Sequence, residues 1–295
     1  MSNFSIFAEI LRQAHTLIGG KTGGGKSVAI NGIIYTLLQM MPAAAQMVLI
    51  DPKKVELRPY RRAPHCIGYA DDAENINNLL LTIDREMMRR YDEMTRREWC
   101  REYPGGHIYI IIDELADVIG ENEYNKQYKS RNIAILAHIL QLGRAAKIHV
   151  IAATQHPARK SLPAEMQRNF TATVALPQKN AIESRQMIGK PGAELLKIGQ
   201  AYYTDTENID PIRVDIPYIQ PDTLRAALDA VTAPTMPDTA HTAPTQCPTG
   251  CQPRTVSAPP TMPTQRTQPR RIPGEILYII AAIAIIGIVA LQKIS

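Results

Sequence analysis

The chain has 295 residues, of which 45% are hydrophobic, so it is long enough to bury a complete α/β core without disulfide support. Its formal net charge is +5, but the five basic and two acidic residues after position 230 contribute +3, which leaves +2 for residues 1–230. Overall charge therefore gives no argument for nucleic-acid binding, and such a site must come from local clusters of lysine and arginine.

Apolar runs and helical patterns alternate through residues 1–230. We predict strands at residues 15–18, 47–50, 108–112 and 148–153, and helices at residues 28–40, 73–90 and 132–142. This order is typical of a mainly parallel sheet with crossover helices, the α/β class. Residues 108–112 and 148–153 are mostly apolar without alternation, so we expect both strands in the centre of the sheet, covered on both faces.

A glycine-rich turn between the first predicted strand and the first predicted helix is the sharpest local signal. It matches the P-loop pattern and reads Gly20-Lys21-Thr22-Gly23-Gly24-Gly25-Lys26-Ser27. In such a loop the backbone N–H groups surround the phosphates of ATP, Lys26 reaches the β and γ oxygens, and Ser27 gives a hydroxyl ligand to Mg²⁺. ATP and Mg²⁺ are therefore the predicted cofactors; a glycine-rich turn without a ligand is the alternative.

Polar residues follow two of the predicted central strands. Asp113 and Glu114 end the run at residues 108–112, and we predict that Asp113 holds Mg²⁺ through water while Glu114 is the general base for hydrolysis of the γ-phosphate. Gln155 follows the strand at residues 148–153 and is a candidate γ-phosphate sensor. The alternative is that the two acids are solvated residues that cap a strand.

A collinear series of motifs extends from about residue 14 to residue 215. After His15 and the P-loop the series comprises Asp51-Pro52-Lys53, Glu56-Leu57, Pro64-His65, Met88-Arg89-Arg90-Tyr91, Asp113-Glu114-Leu115-Ala116-Asp117, Arg144-Ala145-Ala146, Ile148-His149, Ala153-Thr154-Gln155, Asn169, Ser184-Arg185, Gly192-Ala193-Glu194 and Gly199-Gln200-Ala201-Tyr202-Tyr203. This series resembles the motor domain of the FtsK/SpoIIIE family of DNA translocases. The resemblance implies a RecA-like P-loop fold, a homohexameric ring around double-stranded DNA, and ATP hydrolysis coupled to movement along it.

The same resemblance implies a role for Arg144, as an arginine finger that reaches the γ-phosphate of a neighbouring subunit. The alternative is an ordinary arginine at a helix C-terminus, where its charge complements the helix dipole.

Basic residues in two predicted loops are candidates for DNA contacts. They are Lys126, Lys129 and Arg131 after the first central strand, and Arg159, Lys160 and Arg168 after the second. Contacts to phosphate alone read no sequence, which suits a motor that moves along any DNA. A solvated basic rim is the alternative.

The composition divides the chain into three parts. We predict that residues 1–230 form the motor domain, that residues 231–273 form a proline- and threonine-rich disordered linker, and that residues 274–295 form a C-terminal transmembrane anchor. Residues 276–291 contain no charge, which favours a membrane span. The alternative is that this apolar segment is buried against the motor or in a bundle of such tails. Arg266, Arg270 and Arg271 precede this segment and only Lys293 follows it, which predicts a cell-membrane protein with its motor in the cytoplasm.

Cysteine usage agrees with a reducing compartment, since the four cysteines are scattered at Cys66, Cys100, Cys247 and Cys251. No second pair of metal-ligating residues accompanies Cys247 and Cys251, so we predict no zinc site there. Two other functions stay open: a related ring ATPase that serves conjugation or protein export, and a scaffold that binds nucleotide without useful turnover.

Overall fold

A computed structural model describes residues 5–120, 123–155 and 163–232 of the chain. The predicted linker, apart from its first two residues, and the predicted C-terminal anchor lie outside these residues. Within the described ranges, every helix is too short or too polar to cross a lipid bilayer.

One eight-stranded sheet forms the centre of the described part. Its strands in chain order are β1 (His15–Gly19), β2 (Ala45–Ile50), β3 (Cys66–Ala70), β4 (His107–Ile112), β5 (Ile148–Thr154), β6 (Ala172–Ala175), β7 (Gln200–Thr204) and β8 (Ile212–Asp215). The order across the sheet is β3-β2-β4-β5-β1-β6-β7-β8. All pairs from β3 to β6 are parallel, and only β7 and β8 pair in antiparallel fashion. The predicted α/β fold with a mainly parallel sheet is confirmed.

Helices cover both faces of this sheet. They are α1 (Ser5–Arg12), α2 (Lys26–Leu38), α3 (Ala73–Thr95), α4 (Leu115–Val118), α5 (Lys129–Leu142), α6 (Ala164–Asn169), α7 (Ala181–Ile188) and α8 (Pro221–Thr232). Helices α1, α2 and α8 share one buried apolar cluster, whereas α3, α5, α6 and α7 share another. Successive residues of β4 alternate between the two clusters, Ile111 in the first and Ile112 in the second, as the pleat of a strand requires.

Close packing between α1 and α2 fixes the helix that follows the P-loop. Phe7 of α1 is fully buried, and its ring lies against Gly32 of α2 so closely that an added Cβ would come within 2.1 Å of the ring. Any larger residue at position 32 would push α1 away from α2.

The predicted elements match the observed ones best at the centre of the sheet. β4 and β5 lie beside each other and are buried on both faces, as expected. Helix α3 continues five residues beyond its predicted end at residue 90 and stops at Thr95. Strands β3, β6, β7 and β8 were not predicted, because they are short and contain polar or small residues such as Thr173 and Arg213.

Candidate nucleotide site

Parallel pairing brings the loops that leave several strands to one edge of the sheet. Gly20 follows β1, Asp51 follows β2, Asp113 follows β4 and Gln155 follows β5. β5 lies between the P-loop strand β1 and the carboxylate strand β4, so Gln155 leaves the sheet between them. We call this the carboxyl edge, and it is the place where ligands bind in open α/β sheets.

The P-loop is anchored on both strands that flank β1. The Gly20 N–H donates to the Thr154 carbonyl at 3.2 Å, and the Lys21 N–H donates to the Pro177 carbonyl at 3.0 Å. Gly25 has a φ of 100°, a left-handed conformation that favours glycine, and α2 begins at the next residue. An added Cβ at Gly24 would lie 2.8 Å from the Lys21 carbonyl oxygen, so the loop needs glycine there as well.

Lys26 is buried within the loop that it belongs to. Its Nζ donates to the Gly20 carbonyl at 2.8 Å, and the side chain is only 8% exposed. Burial lowers the pKa of the Lys26 ammonium, and the nearby Glu114 carboxylate opposes that shift. The position places a cation inside the loop, where nucleotide phosphates would offset the cost of its burial.

Two side-chain hydrogen bonds join the P-loop to the segments that follow β5 and β2. The Thr22 hydroxyl donates to Gln155 Oε1 at 2.9 Å, and the Ser27 hydroxyl donates to Glu56 Oε1 at 2.8 Å. Ser27 thus lies beside a carboxylate that follows β2. Oxygen ligands of this kind suit Mg²⁺.

Glu114 is held from two sides. Its Oε2 accepts an ion-paired hydrogen bond from Lys53 Nζ at 3.1 Å, and its Oε1 accepts a hydrogen bond from the Gln155 N–H at 3.1 Å. The residue is 3% exposed. These contacts fix the carboxylate in one orientation beside the P-loop, which a positioned general base needs.

The residues present fit ATP and Mg²⁺. Burial raises the pKa of Asp113 to about 6, and Lys53 opposes the shift. Asp51 is fully buried, and its Oδ1 has no hydrogen-bond partner in the described structure, while its Oδ2 accepts the Leu57 N–H at 3.0 Å. Buried acids with incomplete compensation, beside a buried lysine and a glycine-lined loop, are the environment that a phosphate-bound divalent cation would satisfy.

Arg144 does not lie at the P-loop of its own chain. It precedes β5, and it lines a surface depression with Gln13 and Thr171, which precede β1 and β6. The seven residues of β5 separate this amino edge of the sheet from the carboxyl edge by about 20 Å. Arg144 is exposed, and none of the residues that the structure describes forms an ion pair or hydrogen bond with its guanidinium group.

The candidate DNA-binding residues are described in part. Lys126 lies in a single 3-10 turn after α4, and Lys129 and Arg131 lie in the first turn of α5; all three are exposed. Arg168 is exposed in the last turn of α6. Arg159 and Lys160 lie outside the described residues. The structure thus leaves the four described side chains free to contact a large ligand.

Sequence reasoning assigned no role to Lys53 or Glu56, although both contact predicted site residues. The available signal was the pair of motifs Asp51-Pro52-Lys53 and Glu56-Leu57, which contributed to the family resemblance without a chemical role. Their function depends on β2 lying next to β4, and this adjacency cannot be read from spacing along the chain.

The sequence of this chain is similar to those of known DNA translocases only in part of their length, and a family model matches its first third. The model of the FtsK/SpoIIIE family matches residues 2–103. A DNA translocase FtsK from Halalkalibacterium halodurans is 30% identical over 258 residues, and DNA translocase SpoIIIE from Bacillus subtilis is 28% identical over 252 residues. These matches cover 79% and 78% of this chain, but only 31% of each relative. The chain therefore spans about a third of the length of these relatives.

Solved structures share the fold at lower identity. The conjugation coupling protein TcpA of pCW3, in a monomer form with ATPγS, has a TM-score of 0.64 at 20% identity, and the match covers 75% of this chain and 66% of that one. The second and third ATPases of EssC from Geobacillus thermodenitrificans have a TM-score of 0.63 at 18% identity, covering 75% and 45%. The predicted family resemblance is confirmed, and the mainly parallel α/β fold is shared with these solved structures.

The pKa of Asp113 predicts a pH-dependent difference in stability. Because burial raises the pKa of Asp113 from 3.8 to about 6, the folded state binds its proton more tightly than the unfolded state does. The contribution of protonated Asp113 to the free energy of unfolding is therefore fully present below about pH 4 and is lost as the pH rises through about 6. Without nucleotide or Mg²⁺, Asp113→Asn should therefore gain up to ~3 kcal/mol relative to wild type across this interval.

Urea unfolding of the two proteins between about pH 4 and pH 7, with a chelator present, measures this difference. Groups that lie far from Asp113 titrate equally in both proteins, so their contributions cancel. A difference in unfolding free energy that stays constant with pH would show that Asp113 titrates normally.

Proposed function

Starting from the relationship of this chain to the FtsK/SpoIIIE family, we propose that it is an ATPase motor that moves double-stranded DNA without sequence preference. The observation that carries the proposal is the meeting of Lys26, Asp113 and Glu114 at the carboxyl edge of one sheet. We infer the DNA substrate from the relatives, which are DNA translocases. Because this chain spans only about a third of their length, the coupling of ATP hydrolysis to movement along DNA is also part of the proposal.

Each side chain has a distinct task in the proposed reaction. The P-loop N–H groups and Lys26 bind the phosphates and offset charge that develops on the γ-phosphate. Ser27 and Asp113, the latter through water, would hold Mg²⁺, which supplies positive charge at the β and γ oxygens. Glu114 accepts the proton of the attacking water, and Gln155, hydrogen bonded to the P-loop through Thr22, reports on the γ-phosphate.

The two other readings of the sequence make different predictions. A nucleotide-binding scaffold would bind ATP without turnover, whereas the two contacts that orient the Glu114 carboxylate favour hydrolysis. A ring ATPase for conjugation or protein export could have the same fold. A protein-export ATPase would differ from the proposed motor in what stimulates it, because naked duplex DNA is not its substrate and would not accelerate its ATP hydrolysis.

We predict that duplex DNA of any sequence stimulates ATP hydrolysis by the full chain. Lys26→Ala should abolish turnover, and Glu114→Gln should keep ATP binding while slowing hydrolysis by at least about a hundredfold. Glu74→Gln, at an exposed position of α3, is the matched control and should have wild-type turnover. Steady-state phosphate release and binding of a fluorescent ATP analogue measure the two quantities. Equal turnover in wild type and Glu114→Gln would remove the proposed base.

The same assay locates the DNA contact. Reversing the charge of Lys126, Lys129 and Arg131 to glutamate should weaken DNA binding at least about tenfold and flatten its dependence on salt, because fewer phosphates are neutralised. Basal ATPase activity should remain. The same reversal at the exposed residues Lys197, Arg213 and Arg225, which lie near β7 and β8 or in α8, changes net charge equally and is the control. Equal weakening by both triple variants would indicate only a loss of overall charge.

We also propose that the motor assembles into a homohexamer in which Arg144 serves the nucleotide site of the neighbouring subunit. The support is its exposed guanidinium at the amino edge, about 20 Å from the P-loop of its own chain. Arg144→Ala and Lys26→Ala subunits should each be inactive, but mixing them should restore partial hydrolysis. Interfaces between an intact P-loop and an intact Arg144 account for the recovery. Full activity of Arg144→Ala alone would contradict the assignment.

We further propose that residues 276–291 anchor the chain in the cell membrane with the motor in the cytoplasm. Support comes from the sequence: the segment is uncharged, and three arginines precede it while one lysine follows. The full chain should remain with membranes after an alkaline carbonate wash, and a chain that ends at Arg271 should be released. Recovery of both proteins in the soluble fraction would contradict the anchor.

A further inference from the structure

The turn that carries Arg144 is tight and internally bonded. We call residues 143–147, between α5 and β5, the finger turn. The Lys147 N–H donates to the Arg144 carbonyl at 3.1 Å, and the Ile148 N–H donates to the Gly143 carbonyl at 2.9 Å. Lys147 has a φ of 55°, and an added Cβ at Gly143 would lie 2.4 Å from the Ile148 carbonyl oxygen. The turn therefore has little freedom to change its own shape.

Arg90 of α3 holds this turn from outside. It is only 4% exposed, and its Nη1 donates to the Ala146 carbonyl at 2.8 Å, with the Lys147 carbonyl at 3.4 Å. The same nitrogen donates to the Gly106 carbonyl at 3.0 Å, just before β4. Its Nε donates to Glu86 Oε1 at 2.9 Å, one helical turn earlier in α3. The planar guanidinium thus connects α3, β4 and the finger turn in one orientation.

Two further donors complete the hold on this segment. The Tyr91 hydroxyl donates to the Leu142 carbonyl at 2.9 Å, and the Tyr103 N–H donates to the Ala145 carbonyl at 2.8 Å. The Tyr103 ring also lies against the Arg90 guanidinium, with 4.4 Å between the ring centroid and the guanidinium carbon. The last carbonyls of a helix lack partners within that helix, so external donors determine how the chain leaves α5.

These contacts give a role to the motif Met88-Arg89-Arg90-Tyr91, which the proposed chemistry leaves unused. We propose that Arg90 and Tyr91 are positioning residues for Arg144: they hold the finger turn so that its guanidinium group is presented to the nucleotide site of the neighbouring subunit. The inference rests on the proposed action of Arg144 across the interface. Arg90 and Tyr91 bind carbonyls at the amino edge, away from the P-loop of their own chain.

Positioning of this kind has an energetic basis. Arg144 is exposed and, within the described residues, has no partner of its own chain that would orient it, so its direction depends on the backbone that carries it. Misplacement of a catalytic group by about 1 Å can cost about a hundredfold in rate. Loss of a donor to the finger turn should therefore lower the rate of hydrolysis without changing the affinity of the same subunit for ATP.

Two conservative variants test the inference. Tyr91→Phe removes only the hydroxyl, and Arg90→Lys keeps the charge but loses the planar fork. We expect kcat to fall about threefold to tenfold in Tyr91→Phe and roughly tenfold or more in Arg90→Lys, with unchanged affinity for a fluorescent ATP analogue. The matched controls are Tyr109→Phe, which removes a buried hydroxyl bonded to the Leu11 carbonyl, and Arg97→Lys, at an exposed ion pair; both should keep wild-type kcat.

Mixing of subunits separates positioning from a purely structural role. Arg90→Lys subunits have an intact P-loop and a misplaced Arg144, so Lys26→Ala subunits should restore hydrolysis to them and Arg144→Ala subunits should not. Equal behaviour in the two mixtures would overturn the inference. Tyr91→Phe provides the same comparison if Arg90→Lys fails to fold.

The outcomes distinguish this inference from the function on which it rests. If Arg144→Ala retains full turnover, the proposed role of Arg144 is wrong and no residue positions it for catalysis. If Arg144→Ala is inactive while both Arg90→Lys and Tyr91→Phe keep wild-type kcat, Arg144 acts as proposed and only the positioning role is overturned.

Discussion

Parallel pairing of β1 with both β5 and β6 is the constraint on which the nucleotide site depends. It places the end of β1 between two strands that run the same way, so the first residues of the P-loop find acceptors on both sides, the Thr154 carbonyl and the Pro177 carbonyl. The start of α2 is fixed as a result, and with it Lys26. The pairing of β5 with β4 then brings Asp113 and Glu114 to the same edge.

Several charged side chains lie close together at the carboxyl edge, although burying charged groups lowers the stability of the fold. Lys26, Asp113 and Glu114 are buried, and Lys53 reaches Glu114 from an exposed position. The pairing of these charges is incomplete, since burial lowers the pKa of Lys26 and raises that of Asp113. Such an arrangement costs folding free energy in the absence of a ligand. It is nevertheless suited to a ligand that carries both signs of charge, such as a nucleotide with its cation, because it is organised before binding.

The sequence predicted the centre of the fold and the chemistry of the site better than their surroundings. β4 and β5 were found within one residue at each end because buried parallel strands are continuous apolar runs. The P-loop was found because phosphate binding demands glycines and a lysine at fixed spacing. Lys53, Glu56 and Arg90 gave no local signal of their roles: each acts on a residue brought near by strand order or by the crossing of α3, and tertiary placement of this kind is not encoded in local spacing.

Helix α3 relates the two edges of the sheet. Its 23 residues span about 35 Å, from the capping residue Asp72, which follows β3 on the carboxyl edge, to the finger turn on the amino edge. Arg90 and Tyr91 join the far part of this helix to the segment that carries Arg144 through hydrogen bonds to backbone carbonyls. Because both donors bind backbone carbonyls, they constrain the path of the chain from α5 to β5, and the packing of α3 against the sheet thereby helps to place the segment that carries Arg144.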